Sequence, residues 1–363
     1  MSFDRLIEKI VQTQNPSVVG LDPKLEYIPE FIKEKAFAKH GETLKGAAKA
    51  YLEFNKGIID AIYKIVPAVK PQSAFYEALG TAGIKTLHKT CEYAKKRGMY
   101  VIMDGKRNDI GSTAEGYAQA YLGKVQIGDN EFSPFPTDAL TVNGYLGTDG
   151  ILPFTEACEK YDRGIFVLVK TSNPSSGELQ DRILDGSKQT IGELETKTNE
   201  SLKNKKSEKT EEKSNNTVVN INSQLQEKNV KQPDFATGEL VYEIMGRLCE
   251  EWGKKTTGKY GYSAVGVVIG ATYPEQIKIM REKLPNTFFL IPGYGAQGGT
   301  AEDLKAAFDT HGLGGIVNNS RGVLCAYKKE NCNEKDYAGA AYKEAVRMRD
   351  DIMKHIGEIK LHE

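Results

Sequence analysis

Short, unbroken apolar runs recur along the chain, separated by stretches whose hydrophobic residues repeat at helical spacing. Eight such runs stand out: residues 17–21 (SVVGL), 68–70 (AVK), 99–104, 139–142 (ALTV), 164–170 (GIFVLVK), 264–269 (AVGVVI), 288–291 (FFLI) and 315–317 (GIV). Continuous rather than alternating apolar strands, each followed by a helical pattern, indicate a parallel sheet covered on both faces. Eight β–α units predict a (β/α)8 TIM barrel, a single domain over residues 1–363, with its active site at the C-terminal strand ends. Phe3, Leu6, Ile7, Ile10 and Val11 follow helical spacing among charges and predict an amphipathic helix that closes the barrel's bottom. A long helix is expected over 44–65, and a last one over 334–356 on the barrel's outside.

One stretch departs from this pattern. Residues 187–232 are rich in Lys, Glu, Asn, Ser and Thr, and no aromatic occurs between Phe166 and Phe235. Such a segment buries too little apolar surface to offset its ordering entropy. It reads as a disordered surface insertion in the loop after the fifth strand, with a partner-binding appendage as the other reading.

Composition narrows the class. Lys plus Arg and Asp plus Glu number 49 each, so no net charge draws the chain toward nucleic acid or an acidic membrane surface. The five cysteines, at 91, 158, 249, 325 and 332, form no C-x-x-C pair and read as reduced thiols of a cytoplasmic protein. No apolar run reaches membrane-spanning length, and the charged N-terminal helix is unlike a signal peptide.

The chemistry-bearing residues gather at predicted strand ends. The third strand runs into VIMDGKRNDIGST, residues 101–113. Asp104 and Lys106 stand two apart on a strand and should share a face, with Asp109 on the loop beyond. Ser112 is expected to start a helix, Ser112-x-x-Glu115 reading as a capping box. Asp22, Lys70, Asn143 and Lys170-Thr171-Ser172 follow the first, second, fourth and fifth strands. Solvated strand ends would account for any one of these alone, but hardly for the set. Neighbouring Lys and Asp hold one another ionised, and a fixed array of charge can stabilise charge that develops in a reaction.

A second group of residues suits a phosphate. IPGYGAQGG, residues 291–299, contains G-x-G-x-x-G at Gly293, Gly295 and Gly298. A nicotinamide-cofactor reading fails on context, because the motif follows the seventh strand and Asn318 and Asn319, not an acid, lie about twenty residues on. In a barrel, the loops after strands seven and eight form a phosphate site. Arg321 with Gly322 fits bidentate phosphate binding with close backbone approach. Arg321 as a surface helix residue and Gln297 as a plain loop amide are the alternatives.

Together these residues resemble a known family. DGKRNDIGST at 104–113 is similar to the D-x-K-x-x-D-I-x-x-T signature of orotidine 5′-phosphate decarboxylases. GLDPK, VKPQSAFYE, VKTSNPSS, PGYGAQGG and NNSRG resemble the same family, especially its longer bacterial branch. The likeness spans nearly all of the chain outside the insertion. The resemblance implies conversion of orotidine 5′-phosphate to uridine 5′-phosphate, the last step of UMP synthesis, by a carboxy-lyase that uses no metal and no cofactor. It implies a charged tetrad of Lys70, Asp104, Lys106 and Asp109, and a homodimer in which Asp109 and Thr113 reach the neighbour's site. Asp22 and Lys70 would contact ribose hydroxyls, Ser172 the pyrimidine, and Gln297 and Arg321 the phosphate. The insertion just after Ser172 departs from the family pattern.

Loss of CO2 from C6 leaves an in-plane carbanion with no electron sink, so a cation beside C6, Lys106, is the natural stabiliser and proton donor. Two other readings stay open. A Mg2+-dependent sister barrel acting on sugar phosphates would want an extra acid near the second strand, for which Glu77 is a candidate. A nucleotide-sensing barrel would have little use for so costly a cluster of charge. Helix capping is a further reading for Asp109 and Thr113.

Overall fold

The computed structural model describes residues 2–184, 238–295, 298–329 and 332–362. The expected insertion at 187–232 therefore lies outside the described residues, as does Gln297. Eight parallel strands close into a barrel: β1 Ser17–Leu21, β2 Ala68–Pro71, β3 Tyr100–Arg107, β4 Ala139–Val142, β5 Gly164–Lys170, β6 Val265–Ile269, β7 Phe289–Pro292 and β8 Gly315–Asn319. Each strand pairs with its chain neighbours, and closure is made by Ser17 of β1 opposite Val317 of β8. All residues of β1, β2, β4 and β6 are buried, as expected of strands packed on both faces. The predicted runs thus sit on the observed strands. The main difference is β3, which continues to Arg107.

The N-terminal helix Ser2–Thr13 closes the base as its apolar spacing predicts. Phe3, Leu6, Ile7 and Ile10 are fully buried. The Phe3 ring lies 4.8 Å from Phe166 and 5.5 Å from Phe288, both near strand starts. Gly164, which opens β5, leaves room for that ring; a Cβ there would meet it at 2.6 Å. Beside this plug the fully buried Asp138 accepts from Arg5 at 2.9 Å, Lys95 at 2.8 Å and the Val101 N–H at 2.9 Å. A buried carboxylate is tolerable only with such partners.

The outer helices follow the apolar periodicity with small shifts of boundary. The expected 44–65 helix spans Leu44–Ile62, capped by Thr43, whose hydroxyl accepts from the Gly46 N–H. The last helix is Tyr337–Ile356, entered through a 3-10 turn at Glu334–Asp336, and Tyr337 stacks on Phe54 at 5.3 Å. The capping box at Ser112 does not form. The helix spans Gly111–Tyr121, its N-cap is Ile110, and no side chain caps it. Starting before Ser112, the helix already includes that hydroxyl in its first turn. An antiparallel hairpin, Val125–Ile127 with Asn130–Phe132, stands outside the barrel. No helix among the described residues is long and apolar enough to cross a membrane.

Candidate active site

The strand-end charges converge on one carboxylate. Lys70 Nζ, from β2, donates to Asp104 Oδ2 at 2.5 Å, and Lys106 Nζ donates to Oδ1 at 2.6 Å. Asp104 is 6% exposed and Lys70 5%. Burial alone would raise the Asp104 pKa, but Lys70 and Lys106 outweigh it and hold the carboxyl well below the usual carboxylate range. Burial likewise opposes the Lys70 charge, yet Asp104 and Asp22 together raise its pKa. Both partners are thus held charged away from water.

Asp104 and Lys106 do face the same way, but plain strand alternation is not the cause. Pairing between β3 and β4 jumps from Met103↔Leu140 to Arg107↔Val142, so β3 carries a bulge here. Lys106 itself adopts φ 46°, in the left-handed region that residues with a Cβ seldom enter. Such strain persists only where neighbours over-determine it. The constraint is Thr141 on β4: its hydroxyl accepts the Lys106 N–H at 3.0 Å and donates to Asp104 Oδ1 at 2.9 Å.

Lys70, Asp104 and Pro292 stand where two lobes of the strand-end cavity meet. One lobe, of about 380 Å3, is lined by Asp22, Gly293, Tyr294, Asn318, Asn319, Ser320 and Arg321. The other, of about 450 Å3, is lined by Lys106, Thr141, Leu168, Thr171, Ser172, Asn173, Gln180, Val268 and Leu290. The first carries most of the charged and amide side chains, beside Gly293 and Tyr294; the second has an apolar floor with polar groups at its rim. A ligand spanning both would set an anionic or sugar end against Arg321 and Asp22 and a flat ring against Leu168, Val268 and Leu290. Asp22 Oδ1 is buried with no hydrogen-bond partner among the described residues, and burial raises the Asp22 pKa although Lys70 opposes this. It is an acceptor in want of a donor.

The glycine motif serves a backbone turn. Gly293, Gly295 and Gly298 have φ of 103°, 70° and 96°. The loop folds back on itself, Gly295 N–H donating to Gly299 O at 2.9 Å and Gly298 N–H to Gly295 O at 3.0 Å. Arg321 opens the short helix Arg321–Leu324 at the lobe's edge. Gly322 is needed for close approach, but to Asn319: a Cβ would meet that side chain at 2.6 Å.

Not every expected residue joins the cavity. Lys170 turns away: fully buried, its ammonium bonds Asp181 at 2.7 Å and Ser176 at 3.1 Å and lies 4.2 Å from the Tyr273 ring centre. It pins the loop after β5. Asn143 is exposed and caps the Tyr145 N–H. The Asp109 carboxylate accepts from the Ile110 N–H, and Thr113 is exposed on the following helix; neither lines either lobe within one chain. Glu77 is paired with Arg107.

Two lining residues were not singled out by sequence. Thr141 looked like an ordinary position in a buried strand, its only signal being a hydroxyl among apolar neighbours. Gln180 clamps Thr171 from both ends of its amide, at 2.9 Å and 2.8 Å, and nothing in its sequence surroundings marks it.

Comparison with known proteins agrees with this geometry. Residues 19–334 match the family model for the orotidine 5′-phosphate decarboxylase / HUMPS family. Orotidine 5′-phosphate decarboxylase of Caldicellulosiruptor bescii is 37% identical over 349 residues, 96% of this chain and 97% of its own length. That of Clostridium tetani is 37% identical over 356 residues, 98% of this chain and 99% of its own. Among solved structures, a Toxoplasma gondii protein crystallised as a candidate orotidine-monophosphate decarboxylase superposes with a TM-score of 0.66 at 26% identity, covering 97% of each chain.

Proposed function

The chain belongs to the orotidine 5′-phosphate decarboxylase / HUMPS family, and on that premise we propose that the Lys70–Asp104–Lys106 bridge is its catalytic centre. The protein decarboxylates orotidine 5′-phosphate to uridine 5′-phosphate, in pyrimidine biosynthesis. The observation that carries the catalytic reading is the bridge's position, with an ionised carboxylate and two lysines at the waist between a polar and an apolar-floored lobe.

In this reading the phosphate lies against Arg321, at the start of the short helix that also carries Gly322, and Gln297, outside the described residues, is its expected second contact. The ribose hydroxyls meet Asp22 and Lys70, satisfying the orphaned Asp22 Oδ1. The pyrimidine enters the second lobe, with Ser172 at its edge. The C6–CO2 bond breaks heterolytically, CO2 leaves, and the electron pair stays on C6. Lys106 first stabilises that pair and then donates a proton to C6. A cation about 4 Å from the developing charge, at an effective dielectric near 20, supplies roughly 4 kcal/mol. One contact is too little for a carbanion without a sink. Preorganisation supplies more: Asp104 and Thr141 fix Lys106 before substrate arrives, so nothing must reorient during the reaction. Phosphate binding, remote from C6, holds the substrate in register.

No metal or cofactor is invoked. Asp104 already receives an ammonium on each oxygen, and Glu77, the extra acid a Mg2+ site would want, is neutralised by Arg107. The proposal includes a homodimer in which Asp109 and Thr113 complete the neighbouring site. Supporting it, Ile110, Tyr145 and Leu146 are exposed apolar side chains on this face, and Gly150 lies within a Cβ contact of both Asp109 O and Leu146. A cytoplasmic location belongs to the same reading, supported by five cysteines that form no disulfide.

The test is the ultraviolet absorbance of orotidine monophosphate mixed with protein, with and without chelator. Conversion to uridine monophosphate at the same rate in both is the expected result. Turnover abolished by chelator and restored by Mg2+ would overturn the metal-free mechanism.

A further inference from the structure

Three metal-ligating side chains converge at the barrel's base, the end opposite the catalytic cavity. Asp309 lies between the 3-10 turn Lys305–Ala307 and β8, His311 follows it, and His362 comes from the segment after the last helix. One ligand atom from each lies within 4.8 Å of the others. Two of the chain's five histidines meet here, their rings edge to face at 4.6 Å. All three residues are partly exposed, so an ion can reach them from solvent.

The cluster is built rather than casual. Asp309 Oδ1 accepts from the His311 N–H at 2.8 Å and the Leu313 N–H at 2.9 Å, while Oδ2 accepts from the Tyr262 hydroxyl at 2.6 Å. Outer partners of this kind orient a ligand before an ion arrives. The segment carrying His362 is equally fixed. Gln14 bonds both the N–H and the carbonyl of Ile359, at 3.0 Å and 2.8 Å, and the Lys360 N–H donates to His311 O at 3.0 Å. Decarboxylation uses none of these groups.

We propose that Asp309, His311 and His362 bind one divalent transition-metal ion of the zinc class, tying residues 357–362 to the barrel's base. Two imidazoles and one carboxylate select this class over Mg2+ or Ca2+, which want oxygen donors. Three protein ligands leave the fourth tetrahedral position to water. At metal–ligand distances of about 2.0–2.1 Å, tetrahedral donors stand about 3.3 Å apart. His362 Nε2, now 2.7 Å from Asp309 Oδ2, therefore exchanges its direct contact with the carboxylate for the ion. The ion's role is structural, since Lys106 lies at the other end of the barrel.

The experiment uses the full-length chain without a histidine tag, stripped with chelator and titrated calorimetrically with Zn2+, with Mg2+ as the control. One Zn2+ per chain should bind through this site, raising Tm, while Mg2+ does neither. His311→Ala and His362→Gln should each weaken Zn2+ binding by more than about 100-fold, the upper end of what losing an outer partner costs. Both variants should keep the wild-type circular dichroism and kcat, because neither ring is in the core or the cavity. Failure of the wild-type chain to bind Zn2+, or undiminished affinity in both variants, would overturn the proposal. Loss of kcat on stripping wild-type protein would refute the structural role.

Discussion

Thr141 donates its hydroxyl to Asp104 Oδ1 at 2.9 Å. The Thr141 hydroxyl oxygen in turn accepts the Lys106 N–H, so one side chain sets both the carboxylate and the strained backbone that carries the proposed proton donor. Thr141→Val keeps the shape and removes the bond. A hydrogen bond to a charged group is worth about 1.5 kcal/mol, so kcat should fall about tenfold with KM little changed. Steady-state kinetics on the purified variant checks this; a rise in KM at constant kcat would assign Thr141 to ground-state binding instead.

Lys106→Ala should remove nearly all turnover while the protein still binds the product nucleotide. On the proposed mechanism the charge matters most in the transition state, and phosphate and ribose contacts are assigned to other residues of the cavity. Single-turnover assay and nucleotide titration separate the two. Near-normal turnover would end the proton-donor role.

The two buried aspartates of the site have opposite pH signatures. The folded pKa of Asp104 is depressed, so its contribution to stability is present above the unfolded value near 3.9 and is lost as pH falls through the lower folded value. The folded pKa of Asp22 is raised, so its contribution is greatest below the unfolded value and is lost as pH rises through the folded one. At pH 7, Asp104→Asn should destabilise by about 3–5 kcal/mol, because it leaves Lys70 buried without its partner. Asp22→Asn should stabilise the free protein modestly, because it removes a charge that burial disfavours more than Lys70 favours it, while raising KM. Urea unfolding at pH 7 reads the two mutational signs, and the same measurement carried down to about pH 2 reads the two pH signatures.

Deleting residues 187–232 and rejoining the ends should leave kcat/KM within about twofold. The flanks already meet: Gly238 N–H donates to Leu184 O at 3.0 Å, Leu184 N–H donates to Glu239 O at 3.0 Å, and Ile183 bridges Leu240. Joining neighbours demands little loop entropy. A large loss of activity in a folded deletion variant would make the segment part of the site.

Mixing inactive Lys106→Ala and Asp109→Ala chains under exchange should restore activity. Random pairing makes half of the dimers mixed, and each mixed dimer has one site with both native residues, so about a quarter of wild-type activity should return. No recovery, with exchange demonstrated, would confine Asp109 to its own chain.

The barrel was legible because its cause is local and repeated. Each strand is a short apolar run buried on both faces, and eight such runs with helical spacing between them have few other ways to hide. The plug at Phe3, Leu6, Ile7 and Ile10 was readable for the same reason. Spacing also marked Asp104 and Lys106 as neighbours, and their places after predicted strands marked Lys70, Asp22 and Arg321. All of these line the cavity.

What the sequence determined by itself, then, was the architecture and the identity of the charges at the strand ends. Only tertiary structure decided which charges meet. Lys70 and Lys170 look alike in sequence, each a lysine at the end of an apolar strand. One grips Asp104 inside the cavity, and the other is drawn into Asp181, Ser176 and the Tyr273 face. Ser112 lost its capping role to a helix that begins before it, and Thr141 gained its role from a bulge in the neighbouring strand. Spacing along one strand specifies a face, but a hydrogen bond needs two atoms within about 3 Å, and partners on separate strands are brought there only when the sheet closes and its register is set.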